Sequence, residues 1–310
     1  MAAGSLLEQR IRRASPRAVP AARFLLCDLA YAPAADWGAE GLLMLQNCAV
    51  HAGHATPSFA FPKKGVDIYT CPTCGCIMAD LEFVPEQYES ASYYTMAFKS
   101  KAEIEGEWGF RWRYILGALK RHGAGPGLLD VGAGNGYFVY LARTEFGLAA
   151  DGLEISAAEA DYARDTFGVE LLRGDLSVVT KKYDVVTSFN VLEHVKEPME
   201  LLTQMSGRLA PGGLLVVTTP NPHCIHRRLR GLNNWSMVCP PHHINLFTRA
   251  GLREMLTRMG FETLEYSTLS TYINSVRKID TQGLMLRRAA FQALKTANLG
   301  ADHFMICRRA

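Results

Sequence analysis

Three cysteines crowd the stretch TCPTCGC at residues 70–76, and two of them, Cys71 and Cys74, stand two residues apart. A pair of thiolates at that gap is half of a tetrahedral zinc site, which needs two more ligands. Upstream, Cys48 and His51 repeat the gap, so the chain reads C-x2-H, nineteen intervening residues, then C-x2-C. That is close to the spacing of structural zinc modules. His54 could replace His51 and Cys76 could replace Cys74, although neither substitute keeps the two-residue gap. Four protein ligands close the coordination sphere, so the chemistry expected of this Zn2+ is a folding staple rather than catalysis.

A second group of residues suits a nucleotide-like cofactor. Asp130, Gly132, Gly134 and Gly136 lie in DVGAGNG, and Glu154 follows 24 residues after Asp130. A dinucleotide fingerprint, G-x-G-x-x-G, fails here because its sixth position is Tyr137. Histidines supply the remaining candidates. His194 lies in NVLEHV, and its ordinary pKa near neutrality suits a general base. His242 and His243 follow a Pro pair in CPPHHINLF, ahead of Thr248, a candidate helix N-cap. Arg227, Arg228 and Arg230 form a short basic run that could clamp a phosphate or carboxylate.

These residues need elements to hold them. SFAFPKKGVDIYT carries β-branched and aromatic residues around a Lys-Gly turn, which predicts a hairpin between the two ligand pairs. So small a unit buries little core and depends on its metal. Trp108, Trp112, Ile115, Leu116 and Leu119 fall on one helical stripe. From residue 128 the texture alternates between strand and helix: GLLDVGAGNGYFVYLARTEFG predicts strand, glycine turn and amphipathic helix, and LAADGLEIS a second strand ending in an acid.

On these motifs the chain resembles the class I S-adenosylmethionine-dependent methyltransferases. The later segments LLRGDLS, YDVVTSFNVLEHV and LAPGGLLVVTTPN match that family in order, as do HINLFTRAGLREMLTRMGFETLEY and LGADHFMICRRA. The resemblance implies an α/β fold with a Rossmann-like, seven-stranded, mostly parallel sheet, its last strand antiparallel, and a small N-terminal zinc-binding module. It implies S-adenosylmethionine as cofactor, with Asp130, Gly132, Gly134 and Gly136 around its methionine part. Glu154 would hold the ribose hydroxyls, Asp175 and Leu176 the adenine, and Asn190 stands with them. His194 and His243 are the catalytic candidates. A subgroup acting on sugars and other small metabolites begins with a ribbon of C-x2-C pairs and an aromatic pair, here Tyr93 and Tyr94; His51 departs from its pattern.

The expected organisation is an N-terminal segment at 1–45, the zinc-ribbon-like module at 46–85 and the methyltransferase domain at 86–310, with cofactor motifs over 128–220. With 48% hydrophobic and 20% charged residues, the 310-residue chain has the composition of a globular protein. A net charge of +3 provides no general basic field for nucleic acid, and no apolar run approaches the roughly 20 residues of a membrane span. Eight cysteines are too few for a disulfide scaffold, so the reading is cytoplasmic. Residues 1–23 hold five arginines against one glutamate, the composition of a frayed basic helix or a targeting segment. The function expected is methyl transfer to a small molecule, most directly O-methylation of a sugar or secondary metabolite. The alternatives are an RNA methyltransferase gripping its substrate through the ribbon and a non-catalytic cofactor-binding scaffold.

Overall fold

The computed structural model describes residues 47–81, 99–270 and 281–309, without the side chains of 281–288. Tyr93, Tyr94 and the basic segment 1–23 lie outside the described residues. Within them, the first hairpin pairs β1 (Ser58–Lys63) with β2 (Val66–Thr70). Its turn is Lys64-Gly65, both at positive φ (52° and 77°), the mirror-image turn whose twist matches that of paired strands. β2 pairs with β3 (Ile77–Ala79).

The larger sheet holds seven strands. In chain order they are β4 (Gly127–Val131), β5 (Ala149–Glu154), β6 (Leu172–Arg173), β7 (Tyr183–Phe189), β8 (Leu209–Pro220), β10 (Phe261–Leu269) and β11 (Asp302–Arg309). Their spatial order is β10-β11-β8-β7-β4-β5-β6, with β11 antiparallel to both neighbours and the pairings from β8 to β6 parallel. The expected fold is therefore the one observed. Successive residues point to opposite faces of a strand. Leu129, Val186, Leu215, Val217 and Met305 accordingly pack in one core, while Leu128, Val185, Leu214, Val216 and Phe304 pack in the other. Both faces are covered, which is why these strands read as continuous apolar runs rather than as alternations.

One core is shared by α1 (Lys101–Arg121), α2 (Tyr137–Thr144) and α3 (Ala157–Phe167). α1 opens on a capping box, in which Ser100 and Glu103 satisfy each other's backbone N–H groups. Its expected stripe is buried at Ile115, Leu116 and Leu119, and Trp108 and Trp112 pack half-buried against the same core. The other core takes α4 (Pro198–Ser206) and α6 (Arg249–Arg258), together with Cys48, Cys71 and Cys74. α5 (Ile225–Arg230) follows β8, and α7 (Thr281–Thr296) precedes β11.

The N-terminal hairpin is not closed on itself. β9 (Asn245–Leu246), far along the chain, pairs antiparallel with β3 and completes a four-stranded sheet, β1-β2-β3-β9. A division after residue 85 would cut through that sheet. Thr248 fastens the junction: it caps α6 through its Oγ1, which accepts from Gly251 N–H at 3.1 Å and donates to the Cys74 carbonyl at 2.6 Å. The approach is close enough that a Cβ on Gly251 would stand 2.4 Å from Cys76 Sγ.

Candidate functional site: a glycine turn, a buried acid and two histidine clusters

At the carboxyl end of β4 the chain enters the turn that leads into α2. Gly132, Gly134 and Gly136 all have positive φ there. A Cβ on Gly132 would stand 2.4 Å from Val191 Cγ2, and one on Gly136 would stand 2.7 Å from Ala163 Cβ. Gly134 differs. Among the described residues nothing lies within 4 Å of its Cβ position, so these leave the turn open to a ligand at that point. The Gly134 N–H donates to Glu154 Oε2 at 2.7 Å, while the Ser156 N–H donates to Oε1 at 2.8 Å. Burial raises the pKa of Glu154, and those two N–H bonds oppose the shift. The carboxylate oxygens are acceptors with further lone pairs, the acceptor set to which the two hydroxyls of a diol could donate.

Asp130 is 2% exposed and turned into the sheet, where Oδ1 accepts from Thr187 Oγ1 at 2.6 Å. Burial pushes its pKa up to about 7. Exposed Asp175 caps the turn Leu176–Val178 by accepting Ser177 N–H at 2.8 Å, and that bond lowers its pKa. Leu176 is buried in the core.

Asn190 takes part in a polar knot beneath α1, where its Oδ1 accepts from Thr218 Oγ1 at 2.9 Å and Arg111 Nη2 at 3.3 Å. The centre of that knot is the ion pair of Arg111 with Asp302, 2.5 Å and almost wholly buried. Arg111 was legible in part, since it sits three residues after Trp108 and four before Ile115 on the buried stripe. Its partner, 191 residues away, was not.

Beyond β7, Glu193, His194 and His243 bring one potential ligand atom each within 4.8 Å of one another. Val191, which packs against Gly132, brings this segment up to the glycine turn. His194 Nδ1 lies 2.8 Å from the His242 carbonyl and His243 Nδ1 2.7 Å from the Met237 carbonyl; a carbonyl only accepts, so both Nδ1 atoms carry the proton. Burial drives the pKa of His194 well below its ordinary value and that of His243 down to about 4, so both rings are neutral. Glu193 is 1% exposed, and burial pushes it up to about 8. No spacing signal in the sequence marks Glu193, which stands beside His194 in NVLEHV. Arg227, Arg228 and Arg230 make no ion pair among the described residues.

The second cluster is Cys48, His54, Cys71 and Cys74, again with ligand atoms within 4.8 Å of one another. Cys48 Sγ and Cys74 Sγ are 3.5 Å apart, and Cys71 Sγ is 3.8 Å from His54 Nδ1. A tetrahedron with zinc–sulfur bonds of about 2.3 Å has edges of about 3.7 Å, so the donors fit. His51 is not among them. Residues 51–54 form a turn, with His54 N–H on the His51 carbonyl at 3.1 Å, which carries His54 back over the cysteines. The Nδ1 of His51 instead accepts Gly53 N–H at 3.1 Å. His54 gives its Nε2–H to the Glu254 carboxylate on α6 at 3.0 Å, the support that fixes a metal-bound imidazole. Cys76 accepts Thr248 N–H at 3.4 Å and is no ligand candidate.

A family model described as a methyltransferase domain matches residues 106–266, more than half of the chain. The chain belongs to the methyltransferase-domain family. A protein of Mycolicibacterium smegmatis named "Probable S-adenosylmethionine-dependent methyltransferase" is 29% identical over 51% of this chain and 60% of its own length. A tRNA U34 carboxymethyltransferase of Methylococcus capsulatus is 31% identical over 49% of this chain and 52% of its own length. The chain thus spans little more than half of these curated relatives. The magnesium protoporphyrin IX methyltransferase of Synechocystis, solved with bound S-adenosylhomocysteine, shares the fold at a TM-score of 0.51 and 14% identity, over 73% of this chain and 97% of that one. Among the described residues no helix is long and apolar enough to cross a membrane.

Proposed function

We propose that the protein transfers a methyl group from S-adenosylmethionine to a small-molecule acceptor, at an oxygen of a sugar or secondary metabolite. The observation that carries this reading is the packing of Val191 on Gly132, which sets the Glu193, His194 and His243 cluster beside a glycine turn open at Gly134. When bound, the cofactor supplies an electrophilic methyl group on a positively charged sulfonium. Glu154 holds the ribose hydroxyls, and the backbone at Gly134 lies against the cofactor. Positioning an acceptor in line with that methyl supplies much of the acceleration, and easing the loss of the hydroxyl proton beside the buried cluster is worth a factor of about 10² to 10⁴. A zinc ion at Cys48, His54, Cys71 and Cys74 would have a structural part, because four protein ligands leave no open position.

Methylation of RNA is the second reading, favoured by the tRNA-modifying enzymes among the relatives. The net charge of +3 speaks for the smaller acceptor. The two separate in a labelling survey: protein, methyl-labelled S-adenosylmethionine and host extract, divided into small-molecule, RNA and protein fractions. Label is expected among the small molecules; label confined to RNA would replace the first reading with the second.

A further inference from the structure

The cluster beyond β7 has the donor set of a metal site. Both histidines carry their proton on Nδ1 and give it to a backbone carbonyl, which makes Nε2 the lone-pair nitrogen of each ring. That is how metal-ligating histidines are oriented. The carboxylate of Glu193 is 1% exposed. Its Oε2 accepts from Thr219 Oγ1 at 3.0 Å, whereas among the described residues Oε1 is buried with no hydrogen-bond partner within bonding geometry and lies 4.0 Å from His194 Nε2. A buried carboxyl oxygen without a donor destabilises the fold, and a cation in front of it removes that cost.

We propose that Glu193, His194 and His243 hold a divalent transition-metal cation beside the cofactor, with its remaining positions open to the acceptor. Two imidazoles and one carboxylate suit zinc, manganese, iron or cobalt rather than calcium. Three protein ligands leave room for substrate, in contrast to the closed cysteine cluster. Around a tetrahedral cation such ligand atoms stand about 3.4 Å apart, so small side-chain rotations close the site. For its chemistry this inference rests on the methyl-transfer reading. A cation here lowers the pKa of an acceptor hydroxyl toward neutrality, as it does for water. The proton passes to solvent water, the acceptor oxygen bonds to the methyl carbon as the carbon–sulfur bond breaks, and that electron pair stays on sulfur. His194 then serves as a ligand, not as the base.

The test counts metal and needs no acceptor. The full chain is expressed in cobalt-supplemented medium, desalted, and its cobalt measured alongside the sulfur-to-cobalt absorption that only a thiolate site gives. Two equivalents are expected, falling to one with the thiolate band intact in Glu193→Gln and His243→Gln, both still binding S-adenosylhomocysteine. A single equivalent in the unaltered protein, accounted for by the thiolate band, would overturn the proposal without recourse to a variant. Two equivalents that survive both substitutions would overturn it as well. Failure to find a methylated product would count against the proposed function and leave this result standing.

Discussion

Asp130 is a carboxyl group placed where ionisation is costly: it is buried, it accepts from the Thr187 hydroxyl, and its pKa is pushed up to about 7. The folded-state pKa lies above that of the unfolded chain. Its stabilising contribution is therefore complete below about pH 4 and is lost as the pH rises through about 7. Thermal unfolding of the cofactor-free protein between pH 5 and 8 should show stability falling as the pH rises to about 7 and levelling off above it, a fall that is shallower in Asp130→Asn; equal slopes would contradict the assignment. The glycine turn and Glu154 were legible in the sequence because backbone conformation and a strand-end acid are local properties. The polar knot was not. Asp302 and Arg111 meet only once β11 lies beside β8, and Asn190 turns toward that pair because its donors and acceptors are satisfied there. Likewise, a turn at residues 51–54 brings His54 over the cysteines, which a two-residue spacing rule does not encode.

At the scale of elements, the zinc-ribbon-like hairpin was readable from its Lys-Gly turn and flanking β-branched residues, but its fourth strand was not. β9 is two residues long, too short to show periodicity, and exists because β3 offers it an edge. The consequence is that α6 serves both layers: its N-cap Thr248 holds the Cys74 carbonyl, and Glu254, further along the same helix, holds His54. Carboxylates that orient a metal-bound histidine typically account for 10- to 100-fold in metal affinity. Glu254→Ala should therefore weaken retention of one zinc by about 10- to 100-fold in competition with a chromophoric chelator. Unchanged retention would mean that His54 is oriented by the cysteines alone.

For the whole molecule, the central architecture followed from apolar runs alternating with amphipathic helices, since a parallel sheet covered on both faces leaves that trace. What the sequence could not show is how the parts share loads. The segment after β8 returns through α5, β9 and α6, so His243 lies only two residues ahead of the strand that completes the four-stranded sheet. The cluster beyond β7 and the cysteine cluster are thus joined by one short stretch of backbone. The most direct measurement is calorimetric titration of the full chain with S-adenosylhomocysteine, repeated on Glu154→Gln and His243→Gln. The account predicts one equivalent bound, weakened by about 10- to 100-fold in Glu154→Gln, where a charged acceptor becomes neutral, and unchanged in His243→Gln. Absence of binding, or binding indifferent to Glu154, would contradict the placement of the cofactor at the end of β5.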